Sequence, residues 1–285
     1  MGYEQYAYFC AVKVMHTLFR FYINSSIHLS LAVVCLVLIS YYYQNLVPDL
    51  YLILFVFTGS ICGYNFIKYF DVLKGKEKPI QNTLKLILGF TLLCFLFAVY
   101  FFIQLSFLAQ FSAFFCGMLT FFYSYTFNPK GKNLRNLEGG KIFIIASACS
   151  IVTFLLPLLQ TNVKLDSFLI FLFLQRFVFI LVVLLPFEIR DVKNDAITLG
   201  TIPQKIGVNK AKVLGGLFLV LFVLLSFRLY GGMWINISTD VSIAIIAALF
   251  LGFSKVPQQK YYASFWVEAI PIFWLVIWWL ILMVF

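Results

Sequence analysis

The sequence predicts an all-α, polytopic membrane protein, one domain over residues 1–285 with about nine transmembrane helices. Three observations predict it. Of 285 residues, 63% are apolar and 20% aromatic, while only 11% are charged. That is more apolar surface than a soluble domain can hide. The apolar residues come in runs long enough to cross a bilayer, and they lack the period-2 alternation of barrel strands. The basic residues sit in the short links between those runs, so the net charge of +10 reports membrane topology and not a nucleic-acid partner.

Residues 1–24 are aromatic-rich and carry Lys13 and Arg20. They read either as an interfacial helix or as a frayed terminus. The first span covers Ser26 to Tyr43, and no small-residue cleavage site follows it, so it is not expected to be a removable signal. After Pro48 and Asp49 the second span covers Leu50 to Phe70. A loop with Lys74, Lys76 and Lys78 leads to an apolar run from Leu84 to Phe127. As one helix that run would be about 66 Å long, twice the hydrocarbon core. It must be two spans, and the polar residues at Gln104–Ser106 mark the turn. Pro129 and Gly131 end the fourth span.

The fifth span covers Ile142 to Leu159. The sixth begins near Ser167 and contains Arg176, about 22 Å along the helix from Asp191. A mid-membrane arginine calls for partners inside the bundle. The seventh span is Val213 to Leu229, followed by a polar link with Gly231, Gly232, Asn236 and Asp240. The eighth is Val241 to Phe253. The ninth runs to Phe285, with Trp266, Trp274, Trp278 and Trp279 suited to lipid or interface contact and Glu268 near the surface. The six cysteines show no CxxC pairing and read as small core or lipid-facing residues. His16 and His28 are isolated.

Nine spans place eighteen of the 21 Lys and Arg residues on the side of the N-terminus. Lys164 and Arg228 lie on the other side, and Arg176 lies within the membrane. This is a positive-inside pattern with the N-terminus and the basic loops cytoplasmic. Merging the third and fourth spans would destroy it.

The most distinctive stretch, Pro186 to Gly207, emerges from the sixth span. Glu188, Asp191 and Asp195 are spaced i, i+3, i+7 and fall within about 60° of one another on a helix. Three carboxylates on one stripe repel, and hard oxygen ligands suit Mg²⁺. Arg190 and Lys193 point elsewhere, toward phosphate or lipid head groups. A solvated helix end is the plainer reading of each charge taken alone.

Asp191-x-x-x-Asp195 at the end of a membrane helix, followed by Thr201-x-Pro203-x-x-x-Gly207, resembles the second aspartate motif of the UbiA superfamily of intramembrane prenyltransferases. The resemblance implies a UbiA-like bundle that binds a prenyl diphosphate through Mg²⁺. It also implies transfer of the prenyl group to an aromatic or other lipid-soluble acceptor. Asp191 and Asp195 would then be the catalytic metal ligands, with Glu188 as a third. The family's first motif falls on the second span, where Asn65 matches its Asn. Phe66, Tyr69 and Leu73 stand where aspartates belong. Asp71 is the one carboxylate nearby, about 120° around the helix from Asn65. Lys68, one turn from Asn65, is placed to supply positive charge where a second metal would sit; it reads equally as an ordinary basic loop residue. Lys130, Lys132 and Arg135 match, as a group, the family's basic loop facing the diphosphate, and they also serve topology. Tyr123 and Tyr125 either line a pocket for a prenyl cation or anchor at the interface. The reduced first motif keeps two alternatives open: a non-catalytic relative that binds isoprenoid lipid, and a membrane transporter.

Overall fold

The computed structural model describes residues 3–74, 82–125, 134, 137–163, 166–196 and 199–284. The chain is an integral, multi-pass membrane protein. Among the described residues there are only helices: α1 (Tyr3–Asn24), α2 (Ile27–Tyr43), α3 (Leu50–Lys74), α4 (Asn82–Ile103), α5 (Phe107–Ser124), α6 (Lys141–Ser150), α7 (Leu156–Gln160), α8 (Ser167–Asp191), α9 (Ile202–Ile206), α10 (Val208–Leu229), α11 (Trp234–Phe253) and α12 (Ile270–Val284). A π-helical turn, Ile151–Leu155, joins α6 to α7, and another, Tyr262–Val267, precedes α12. Among the described residues, eight helices are long and apolar enough to cross a membrane. The ninth span comes from α1 and α2, which bend by 53° at Ser25–Ser26.

The turn forced on the long apolar run falls where length required it. Ser106 caps α5, its Oγ accepting the Ala109 N–H at 3.4 Å. Gln110 Nε2 donates to the Phe102 carbonyl at 3.1 Å, and Gln160 Oε1 accepts the Ser106 N–H at 2.8 Å. Polar side chains thus satisfy the backbone of a turn between two lipid-facing helices. The outer face of α4 carries exposed Leu92, Phe95, Leu96 and Tyr100, which suits contact with acyl chains.

Two expectations are corrected. The polar link before the eighth span is shorter than its composition suggested: α11 starts at Trp234, so Asn236 and Asp240 are helical and buried. Asp240 is tolerated because three donors converge on it: Tyr43 Oη at 2.7 Å, Gln175 Nε2 at 3.0 Å and Ser226 Oγ at 2.5 Å. Trp274 and Trp278 are core residues, not lipid anchors. Their indole N–H groups donate to Tyr43 Oη at 3.0 Å and Asn236 Oδ1 at 3.3 Å.

Arg176 finds the partners its depth demands. It donates to the Leu36 carbonyl at 2.9 Å and to Ser40 Oγ at 3.1 Å, and its guanidinium lies 5.0 Å from the Trp274 ring centroid. Ser40 passes the bond on to the Thr153 carbonyl at 2.7 Å. That carbonyl is available because Pro157, four residues on, has no N–H. A cavity of about 10 Å³, room for about one water, borders Ser40, Gln175 and Arg176.

The helices close into a ring, with α2 against α3 and α12, α12 against α11, α11 against α10, and α10 against α8, which also packs on α6. At Gly215, α10 approaches its neighbours so closely that an added Cβ would lie 2.7 Å from Leu185 Cδ1 and would also overlap Leu251. Replacing Gly215 by Val should therefore lower stability by about 1–3 kcal/mol, the usual cost of overpacking. Thermal unfolding in detergent checks this, with Gly216→Val, whose Cβ would meet nothing within 4 Å, as the tolerated control.

Candidate active site

Charge gathers at the end of the bundle where α3 and α8 finish and α6 and α10 begin. α8 does not continue to Asp195. It ends at Asp191, and Val192–Asn194 form a turn, with the Asp195 N–H still reaching the Asp191 carbonyl at 2.8 Å. The predicted stripe is therefore two helical carboxylates and a third on the following turn. Glu188 faces inward at 4% exposure, and its Oε2 accepts the Ile202 N–H at 3.3 Å.

Two cations relieve the repulsion within this acidic group. Arg190 grips Asp191 through Nε at 2.7 Å and Nη2 at 2.8 Å, a bidentate pair of the strong kind. This corrects the expectation that Arg190 points away from the stripe. Lys141 Nζ donates to Asp195 Oδ2 at 2.9 Å. Sequence reading missed Lys141 as a partner because it lies 54 residues from Asp195 and looks like one more loop lysine.

The loop after Asp195 is pinned to the loop before α6. Gly139 N–H donates to the Leu199 carbonyl at 2.8 Å, and Lys205 pairs with Glu138 at 2.9 Å. Gln204 accepts the Thr201 N–H at 3.0 Å and donates to the Asp195 carbonyl at 3.1 Å, tying the TxPxxxG segment back to the acidic turn. Gly200, with φ +52°, is needed twice over: the conformation favours glycine, and a Cβ would lie 2.7 Å from Glu138 Cγ and from Lys205 Cε.

On α3, Asn65 is 2% exposed and its amide is fully used. It accepts from Ser26 Oγ at 2.6 Å and donates to the Ser25 carbonyl at 3.1 Å and to Thr91 Oγ1 at 2.8 Å. It braces the α1–α2 bend against α3 and α4. Lys68, exposed, donates to the Asn24 carbonyl at 3.1 Å, where Tyr69 Oη also donates at 2.8 Å. Asp71 lies near the end of α3, with its side chain outside the described ones. Lys130, Lys132 and Arg135 lie outside the described residues. Tyr123 is buried, and Tyr125 stacks on Phe121 with centroids 4.9 Å apart and meets Phe70 edge-on. Phe66, where the family pattern has Asp, stacks on Phe121 as part of the same aromatic wall.

Between these elements, Tyr64 is exposed although Tyr123, Cys149, Arg190 and Glu268 surround it electrostatically. Its exposed ring thus faces a space shared with side chains of four other segments. Glu268, expected near the surface, is only 8% exposed and lies within electrostatic reach of Lys68 and Arg190. Its place in the sequence, just inside an apolar run, was the available signal.

The donor set can be tested against Mg²⁺. Among the described residues no three Asp, Glu, His or Cys side chains form a cage for a metal ion. Mg²⁺ seldom needs one: it binds through one or two carboxylates, waters and substrate phosphates. Asp191 and Asp195, part-exposed and one turn apart, fit that description.

No protein-family model and no curated protein matches the chain. A solved structure of similar fold is that of a digeranylgeranylglyceryl phosphate synthase in membranes. It aligns over 92% of this chain and 97% of its own, with a TM-score of 0.54 and 18% identity. The all-α membrane bundle expected from the sequence is the fold found, and it is shared with that synthase. At that identity the likeness speaks for the fold, and residue roles must be argued from this chain.

The pinned loop makes its own prediction. Gly200→Ala should lower the thermal midpoint, by about 1–3 kcal/mol of stability, through strain and overlap with Glu138. Lys205→Ala, which removes a half-exposed ion pair, should cost under about 1 kcal/mol. Unfolding of both variants in detergent checks the contrast.

Proposed function

We propose that this protein is a UbiA-like membrane prenyltransferase, transferring a prenyl group from a prenyl diphosphate to a lipid-soluble acceptor with Mg²⁺. The observation that carries the reading is the pairing of Asp191 and Asp195 with Arg190 and Lys141 where α8 ends, in a fold shared with a prenyl-lipid synthase. Each cation keeps donors in reserve. Arg190 uses two of five N–H groups on Asp191, and Lys141 uses one of three on Asp195. The remaining donors, with Lys68, suit the phosphate oxygens. Asp191 and Asp195 would hold the metal, with Glu188 behind them, and the bound Mg²⁺ supplies charge stabilisation to the departing diphosphate. Asn65 acts by bracing α3. Tyr64, Tyr123 and Tyr125 present ring faces suited to a developing allylic cation. Asp71, Lys130, Lys132 and Arg135 belong to the same end of the chain's charge pattern and are assigned to the diphosphate side.

The two internal ion pairs also favour a second reading. Carboxylates neutralised by the chain itself suit a non-catalytic relative that binds an isoprenoid lipid. Purified protein with a labelled prenyl diphosphate separates the two. Diphosphate release that requires Mg²⁺ and falls at least about 100-fold in Asp191→Ala and in Asp195→Ala supports the enzyme, since each removes stabilisation worth roughly 3 kcal/mol. Lys68→Ala should weaken binding of the diphosphate. Tight binding without turnover would support the lipid-binding relative, and no binding would turn attention to transport.

The sidedness proposed with this function is a cytoplasmic site, from the positive-inside pattern. In a cysteine-free variant within intact cells, a membrane-impermeant thiol reagent should label Met233→Cys and spare Asn209→Cys. The opposite labelling would invert the topology.

A further inference from the structure

Glu268 is a buried carboxylate that the reading above does not use. It is 8% exposed, and among the described residues nothing donates a hydrogen bond to its carboxylate. The cations that act on its charge, Lys68 and Arg190, donate to the Asn24 carbonyl and to Asp191 and not to Glu268. A carboxylate this enclosed is costly without a donor, and its oxygens are not among the fully buried atoms that lack a partner, so an entering donor can reach them.

The position of Glu268 is well defined. It follows the π-helical turn Tyr262–Val267, and its N–H donates to the Ala263 carbonyl at 3.1 Å. π-turns recur at functional sites because they re-aim a side chain. His28 locks the turn from α2. Its Nε2 donates to the Phe265 carbonyl at 2.8 Å, its Nδ1 accepts from Tyr22 Oη at 2.8 Å, and its ring stacks on Phe265.

We propose that Glu268 receives the hydroxyl group of the prenyl acceptor and takes its proton during transfer. This rests on the prenyltransferase reading. The surroundings select the acceptor's chemistry. Lys68 and Arg190 disfavour a cationic amine, and the Glu268 carboxylate disfavours an anionic group, so a neutral alcohol or phenol fits. As the allylic C–O bond breaks, its electron pair leaves with the diphosphate. A lone pair of the acceptor oxygen forms the new C–O bond, and the hydroxyl proton passes to Glu268, which later gives it to water. The product is an ether and Glu268 returns to the carboxylate.

The test uses the full-length protein in nanodiscs, a labelled prenyl diphosphate, and two hydroxyl probes, a monoacylglycerol and a long-chain alkylphenol. Glu268→Gln preserves size and should bind the prenyl diphosphate as the parent does while kcat for ether formation falls about 100-fold or more, the range of a positioned general base. Glu268→Asp should recover part of that rate. The proposal is overturned by transfer in Glu268→Gln within threefold of the parent, by a loss of diphosphate affinity matching the loss of turnover, or by no recovery in Glu268→Asp. It is also overturned if the parent binds the prenyl diphosphate but modifies neither probe. A parent that fails to bind the prenyl diphosphate gives a different result: it removes the prenyltransferase reading itself, and this role with it.

Discussion

A carboxylate at the heart of a membrane bundle must be surrounded by donors, and the far half of this molecule is arranged around that requirement. Asp240 draws Tyr43 from α2, Gln175 from α8 and Ser226 from α10 onto one group on α11. Trp274 of α12 joins through the Tyr43 hydroxyl. Between helices and lipid tails there is little hydrophobic preference to organise packing. Polar groups that cannot find water therefore dictate which faces meet. Arg176 extends the same logic to α2 and the π-helical turn after α6.

The near end solves a different problem. Its carboxylates and cations meet where α8 ends, with Asp191 and Asp195 part-exposed beside the buried Glu188. Asn65 spends its whole amide on the α1–α2 bend, α3 and α4. That leaves Tyr64 and Lys68, on neighbouring turns of the same helix, exposed on a rigid base. The clamp between the 139 and 199 segments does the same for α6 and α8. Rigid supports beneath a charged site keep its donors oriented without reorganisation when a ligand's charge develops.

Much of this was legible in the sequence. Run length and hydropathy give the spans, and the forced break at Gln104–Ser106 is right because no bilayer accommodates a helix of twice its thickness. The depth of Arg176 implied its partners. Local composition misled where a polar residue has a distant partner. Asp240 and Asn236 looked like a loop because their donors come from α2, α8 and α10, up to 197 residues away. Trp274 and Trp278 looked like lipid anchors because their acceptors lie on other helices. Arg190 was aimed wrongly because helical periodicity fixes where a Cα sits and not where a long, flexible side chain bends. The internal face of Glu268 depends on a π-turn, a register change that 3.6-residue periodicity does not carry.

The bond between Tyr43 and Trp274 joins residues 231 positions apart. During synthesis α2 reaches the bilayer long before α12 exists. Until α12 leaves the ribosome, the Tyr43 hydroxyl, the guanidinium of Arg176 and the edge of α2 lack one wall of their enclosure. The nascent protein must therefore dwell in the membrane as an open arc with a buried charge partly shielded. Insertion of α12 is therefore the step that closes the bundle's polar interior against lipid.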